Sequence, residues 1–180
     1  MDRLSELLST RDWLLADGAT GTTLFNAGLP TGEAPELWNL DNPDAIRALH
    51  DGFIEAGADL VLTNSFGGTR ARLTLHDAQH RAREINRRAA EIARRCADRA
   101  GRRVVVAGSM GPTGELLEPV GALSHADAVA MFEEQGSGLL EGGADVLWAE
   151  TISSEEEVRA AAEAAARLGA PFCATLSFDS

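Results

Sequence analysis

The sequence predicts one α/β domain with parallel strands, and two observations support this. Short apolar runs recur along the chain without alternation, which is typical of strands buried on both faces of a parallel sheet. Long helical patterns separate these runs, and three junctions repeat the order helix, glycine, strand, at Gly57, at Gly142-Gly143 and at Gly169. A repeating β-α unit of this kind favours right-handed crossovers within a single domain spanning residues 1–180.

Each apolar run is short enough for a strand and too short for a helix. The five runs are residues 13–16, 59–63, 104–107, 145–149 and 172–176. The continuous apolarity of these runs predicts that both faces of each strand are buried.

Four helices are predicted between the strands, at residues 43–57, 77–100, 127–141 and 154–168. The first follows Asn42-Pro43, a capping residue with proline at the first helical position. Gly136 and Gly138 would weaken the middle of the third helix. The fourth begins with the capping-box spacing of Ser154 and Glu157.

Two architectures fit this pattern: a complete five-stranded doubly wound sheet, or part of a (β/α)8 barrel, which needs about 250 residues. The 180-residue length favours the doubly wound sheet. The absence of a closing helix after the fifth run favours a barrel of which this chain holds about five β-α units. The order of the strands distinguishes the two, because only the doubly wound sheet has a switch point.

Composition excludes several classes of protein. Hydrophobic residues make up 44% and charged residues 24%, which is typical of a globular chain. The net charge of −12 argues against a nucleic-acid-binding protein. Neither a membrane-spanning run nor a signal-peptide core is found. Two cysteines, Cys96 and Cys173, are too few for a disulfide scaffold, so we expect a cytoplasmic protein. Both cysteines are expected to be buried.

Polar residues follow each apolar run, where parallel strands place their functional groups. Asp17 and Glu150 are the two carboxylates set directly against strand ends, and together they would suit a small substrate carrying an ammonium group. Structural alternatives exist for both: Asp17 as a turn residue, and Glu150 as a complement to the next helix. His76 and His80, four residues apart, are expected on one solvated helical face.

The glycine-rich turns lack the lysine of a phosphate-binding loop, so they are interpreted as tight turns. Aromatic residues offer a cage for a cationic methyl group. Phe66, at a strand end, is the better candidate, whereas Trp148 lies within an apolar run and is expected in the core; Trp38 is a third candidate.

Several motifs in this order resemble the homocysteine S-methyltransferase family, which includes betaine–homocysteine methyltransferases and the homocysteine domain of methionine synthase. The matching segments cover the chain from about residue 14: residues 15–22 (LADGATGT), Asn42-Pro43, His50, residues 56–59 (AGAD), residues 63–69 (TNSFGGT), residues 107–115 (AGSMGPTGE) and Glu150-Thr151.

The resemblance implies a (β/α)8 TIM barrel, of which this chain would supply the first five β-α units, an incomplete barrel. It implies that Asp17 and Glu150 hold the ammonium group of homocysteine and that the backbone at Gly18 and Ala19 faces its carboxylate. By the same resemblance, Asn64, Ser65 and Phe66 belong to the substrate-binding set, with Phe66 near the methyl donor.

The implied reaction is methyl transfer to a homocysteine thiolate activated by zinc, giving methionine. Betaine is the favoured donor, although Gly67 and Thr151 stand where animal betaine enzymes have tyrosines. A methylfolate, a methylated corrinoid or a sulfonium compound is the alternative. A non-catalytic ligand-binding module on a doubly wound sheet is a second class of function.

The three zinc-binding cysteines of the family are expected beyond Ser180, and no metal ligand is assigned within this chain. We therefore expect residues 1–180 alone to bind zinc poorly and to be inactive. An open half-barrel leaves two unpaired strand edges, through which we expect self-association.

Overall fold

A computed structural model describes residues 2–178 as eight α-helices and four β-strands within that range. In chain order the elements are α1 (Arg3–Leu8), α2 (Thr20–Asn26), α3 (Trp38–Asp41), α4 (Pro43–Glu55), β1 (Leu60–Leu62), α5 (Arg70–Leu73), α6 (Ala82–Arg99), β2 (Val105–Met110), α7 (His125–Glu141), β3 (Val146–Ile152), α8 (Glu155–Arg167) and β4 (Phe172–Leu176). Three short 3-10 helices lie at Pro35–Leu37, Thr74–His76 and Gln79–Arg81.

The sheet is parallel, and its strands follow one another in the order β1-β2-β3-β4. This sequential order has no switch point, so the doubly wound alternative is wrong. The order is that of part of a (β/α)8 barrel, in which each right-handed crossover places its helix on the same outer face.

The first predicted strand, at residues 13–16, is not formed as a strand. It contributes one parallel bridge, Ala16 to Leu60, and its neighbour Asp17 donates its amide to Leu60 O over 3.0 Å. The prediction of burial on both faces is also wrong here, because Trp13 is 71% exposed. Residues 13–17 therefore lie in sequential order beside β1 without a full ladder.

The two faces of the sheet carry separate cores. On the inner face, Leu60, Val105 and Val146 pack together, and Leu7 of α1 covers them at the amino ends of the strands. On the outer face, α4 and α6 pack against β1 and β2, while α7 and α8 pack against β2 and β3. The carboxyl ends of the strands are left open on the inner side.

Three of the predicted helices are confirmed within two residues of their bounds, and the one predicted at residues 77–100 starts later, at Ala82. Residues 77–81 do not belong to α6, because Asp77 adopts a left-handed φ of 53° that ends the preceding 3-10 turn. His76 and His80 consequently lie in separate 3-10 helices and do not share a helical face.

Glycine positions behave partly as expected. Gly57, Gly143 and Gly169 have positive φ after α4, α7 and α8, as the helix-glycine-strand junctions predict. Helix α7 is continuous through Gly136 and Gly138. At both positions neighbouring atoms occupy the space where a β-carbon would lie, which explains why glycine stands there. Among residues 2–178, no helix is long and apolar enough to cross a membrane.

Candidate active site

A cavity of about 510 Å³ opens at the carboxyl ends of the first strands, a volume typical of small-ligand sites. The loops before α2 and α3 and the short α5 region complete its wall. All seven residues predicted to bind substrate line it: Asp17, Gly18, Ala19, Asn64, Ser65, Phe66 and Glu150.

Asp17 lies where residues 13–17 leave the side of β1. Its Oδ2 accepts a hydrogen bond from Leu62 N over 2.9 Å, so the carboxylate takes the place of the next rung of the ladder. The alternative of a turn residue before α2 is wrong, because the partner of the carboxylate is in β1 and α2 has no side-chain cap, and the side chain faces the cavity. Burial raises the pKa of Asp17 to about 7, and the nearby negative charge of Glu150 adds to the rise.

Glu150 reaches the cavity through an irregularity in β3. The register between β3 and β4 shifts between Ala149 and Ile152, and Thr151 has a φ of 62°. Such bulges redirect a side chain next to an active site. The Ser109 hydroxyl donates a hydrogen bond to Glu150 Oε1, and burial raises the pKa of the Glu150 carboxyl. Glu150 is thus directed at the cavity and not at the start of α8.

Both carboxyl groups are short of positive charge. No arginine or histidine within residues 2–178 forms an ion pair with Asp17 or Glu150, although most other acids near the sheet have arginine partners. Two neighbouring carboxylates with raised pKa values favour a cationic ligand, because such a ligand offsets their mutual repulsion.

A buried hydroxyl network supports the floor of the cavity. Ser65 Oγ donates to Ser109 O over 2.7 Å and lies 2.6 Å from Thr63 Oγ1, while Ser109 N donates to Thr63 Oγ1 over 2.9 Å. Gln135 of α7 donates its amide to Ser65 O over 2.8 Å. The Ser65 hydroxyl is fully buried and has two protein partners, so this network fixes the position of Ser109, and through it Glu150.

Asn64 connects the strand end to the loop that forms the opposite wall. Its side-chain amide donates to Pro35 O over 2.7 Å, and its backbone carbonyl accepts from Asn39 Nδ2 over 2.7 Å. Next to it, the buried carboxylate of Glu36 accepts from Gly67 N over 2.6 Å. Asn64 therefore has a structural role in this site, and substrate contact by Asn64 and Ser65 stays a prediction.

Phe66 is 37% exposed and lines the cavity, as expected for a residue near a donor. Its ring lies over Gly111, where a β-carbon would come within 2.6 Å of the ring, and its carbonyl accepts from Gly111 N over 2.9 Å. Trp38 is instead buried in the core, and Trp148 is half-buried against the inner face of the sheet.

Comparison with known proteins places this geometry in a family. A profile of homocysteine S-methyltransferases matches residues 14–180. Methionine synthase of Mycobacterium tuberculosis is 35% identical over 167 residues, and homocysteine S-methyltransferase of Escherichia coli is 34% identical over 179 residues. The chain belongs to the homocysteine S-methyltransferase family.

Solved structures of this family share the fold. The homocysteine methyltransferase MmuM from Escherichia coli matches in its oxidised form with a TM-score of 0.81 and 29% identity, and in its metallated form with a TM-score of 0.80. The match covers 99% of this chain and 66% of the oxidised MmuM chain. The chain likewise spans 14% of the Mycobacterium tuberculosis relative and 56% of the Escherichia coli relative. The sheet described here is thus part of the homocysteine S-methyltransferase barrel.

The residues present do not fit a metal site. Between residues 2 and 178, no group of three or more histidine, cysteine, aspartate or glutamate side chains could hold a metal ion. Cys96 is buried between α6 and the outer face of the sheet, and burial raises the pKa of its thiol to about 12. Cys173 lies in β4 and packs against the inner-face core, but it is half-buried and not buried as predicted. The two thiols belong to opposite faces of the sheet.

Among the cavity residues that the sequence did not single out, two carry charges of interest, Glu36 and Arg72. Glu36 belongs to a 3-10 helix and Arg72 to the four-residue α5, and neither follows a strand or a periodic pattern. The adjacent Pro35 and the capping Thr69 mark turns, but nothing in these segments indicates which side chains face the cavity.

Proposed function

We propose that this chain binds homocysteine as the methyl acceptor of a homocysteine S-methyltransferase, the product being methionine. One observation carries the proposal: Asp17 and Glu150, two carboxylates without a cationic partner among the described residues, meet at one cavity in a member of this family. The α-ammonium group of homocysteine is the cation that this pair suits.

In this proposal, each part of the site has one task. Asp17 and Glu150 accept hydrogen bonds from the ammonium group, and Ser109 keeps Glu150 in place. The backbone at Gly18 and Ala19, just before α2, faces the α-carboxylate, because Ala19 is the uncapped N-cap of that helix. Fixing both ends of the amino acid orients the thiol toward the donor, and orientation contributes much of such a rate enhancement.

The thiol itself needs activation, since a free thiol has a pKa of about 8.5. A zinc ion would supply this by removing the thiol proton. Residues 2–178 hold no set of three ligands for it, and the family resemblance places its three cysteines beyond Ser180. Betaine as donor, a cytoplasmic location and self-association are parts of the proposal supported by the sequence and the family resemblance.

Calorimetric titration of the chain with homocysteine tests the proposal. We expect Asp17→Asn and Glu150→Gln each to weaken binding by about tenfold or more, since each removes a charge-assisted hydrogen bond. Glu33→Gln is the matched control, because Glu33 lines the same cavity away from the strand ends. It should bind homocysteine like the wild type.

A second ligand isolates the ammonium contact. 4-Mercaptobutyrate is homocysteine without the amino group, so it should bind the wild type more weakly than homocysteine does. Its own affinity should not be weakened by Glu150→Gln. If Asp17→Asn and Glu150→Gln each bind homocysteine with wild-type affinity, the ammonium site is misassigned.

A further inference from the structure

Arg72 is the one arginine in the described structure that has no carboxylate partner. The chain contains 16 basic residues besides histidine, all arginines. The other 15 each lie within 4.0 Å of an aspartate or glutamate oxygen. In a chain with a net charge of −12, an unpaired guanidinium is therefore the exception.

The position of Arg72 makes this exception specific to the cavity. Arg72 lines the cavity together with four carboxylates, those of Asp17, Glu33, Glu36 and Glu150, yet forms an ion pair with none of them. The neighbouring Arg70, on the same short helix, is paired with Glu134 over 2.7 Å and does not line the cavity. The free guanidinium is thus available to a ligand in the cavity.

Arg72 and Phe66 rest on the same loop, residues 111–114. The Phe66 ring covers Gly111, and the Arg72 guanidinium lies against Gly114, where a β-carbon would be 3.1 Å from Nη1. Three residues span at most about 11 Å, so an aromatic face and a guanidinium contact the same short loop, and both line the cavity. The aromatic face suits an onium methyl group, and the guanidinium suits a carboxylate.

We propose that Arg72 binds the carboxylate of a small methyl donor that carries an onium methyl group, and thereby selects donors of this class. The inference rests on the proposed function, because it assigns the second substrate of the same cavity. Arg72 rests on the same loop as Phe66 and forms no ion pair with Asp17 or Glu150, so we assign the carboxylate it binds to the donor and not to homocysteine.

Ligand-detected NMR on the full chain tests this inference with three probes whose methyl signals are sharp. Betaine and dimethylsulfoniopropionate carry a carboxylate on an ammonium and a sulfonium centre, respectively. Choline has the trimethylammonium group without the carboxylate. We expect at least one carboxylate probe to bind about tenfold more tightly than choline, and the preferred probe identifies the onium centre.

Substitutions assign the preference to Arg72. Arg72→Gln should remove about tenfold of the affinity for the carboxylate probe and leave choline unchanged, while Arg72→Lys should restore part of it. Arg70→Gln is the matched control and should behave like the wild type. Each variant is also titrated with homocysteine, whose affinity should not change.

Three results would overturn the assignment: a carboxylate preference retained in Arg72→Gln, a loss confined to homocysteine, or no binding of either carboxylate probe to a chain that binds homocysteine. If homocysteine does not bind but the Arg72-dependent preference is present, the proposed function fails and the assignment of Arg72 stands.

Discussion

Asp17 combines two requirements that conflict in the free protein. Its carboxylate closes the ladder at Leu62, and it is also held near Glu150 in a partly buried cavity without a cation. Burial and the like charge both disfavour ionisation, which is why its pKa rises to about 7. An unpaired carboxyl of this kind lowers the stability of the unliganded protein, as expected where binding and stability conflict in a site.

Replacing Asp17 with asparagine should stabilise the unliganded protein above pH 7. The free energy of unfolding should rise by about 1–3 kcal/mol, because three pKa units correspond to about 4 kcal/mol and Asp17 keeps some contact with solvent. Asparagine retains an acceptor for Leu62 N. Urea unfolding at pH 8 and at pH 4 measures the difference.

The sign of the pH dependence follows from the raised pKa. Between pH 4 and pH 7 the folded protein binds a proton at Asp17 that the unfolded chain has released, so wild-type stability falls as pH rises through this range. The advantage of Asp17→Asn should therefore be small at pH 4 and largest above pH 7. A constant difference at all pH values would contradict this account.

The same pKa affects binding. In the proposed binding mode homocysteine needs an ionised Asp17, so its affinity should decline as the pH falls below about 7, and the decline should be absent in Asp17→Asn. Titrations between pH 6 and pH 8 in buffers of different ionisation enthalpy would also detect the proton released on binding.

At the scale of elements, α6 and α7 pack closely because α7 presents glycines to α6. A β-carbon at Gly138 would lie 2.5 Å from Arg83 O and 3.2 Å from Arg87 N, both of them backbone atoms of α6. This close approach brings Gln135 within reach of the hydroxyl network under the cavity. The glycines that weaken α7 as an isolated helix therefore position the site.

Gly138→Ala should destabilise the protein by about 1–3 kcal/mol, because backbone atoms cannot yield to a new methyl group as side chains can. Gly52→Ala is the control: Gly52 is exposed on α4, with nothing near its missing β-carbon. That substitution should stabilise by up to about 1 kcal/mol through helix propensity. Chemical unfolding of both variants measures the pair, and equal effects would exclude the packing explanation.

For the whole molecule, the edges of the sheet are the notable feature. Among the described residues, β4 pairs only with β3, and its last three residues are exposed. Leu176 is 45% exposed at this edge. Unpaired strand edges with apolar side chains pair with other chains, so the prediction of self-association retains a physical basis.

Leu176→Lys should reduce self-association of the 180-residue chain, because an edge lysine opposes strand pairing. Val120→Lys is the control, since Val120 is 81% exposed in a loop away from the strands. Sedimentation velocity over a range of concentrations compares the three proteins. A monomeric wild type, or equal effects of both substitutions, would contradict edge pairing.

Sequence patterns were sufficient to predict the repeated β-α units and the strand ends that carry the site. Apolar runs separated by glycine-ended helices require a parallel sheet, and parallel strands bring their carboxyl ends to one edge. Asp17, Phe66 and Glu150 follow such runs, so their shared location could be predicted without coordinates. The repeated β-α pattern alone did not separate a barrel from a doubly wound sheet, which depends on contacts between distant segments.

Long-range packing sets which polar groups face the cavity and in what charge state. Glu150 reaches it through a bulge, Ser65 is taken up by the hydroxyl network, and Arg72 enters from a four-residue helix that has no periodicity. Side-chain direction and burial depend on residues far apart in the chain, here up to 133 positions between Asp17 and Glu150. Local sequence patterns do not show such contacts. The raised pKa of Asp17 and the unpaired Arg72 could therefore be found only in the folded structure.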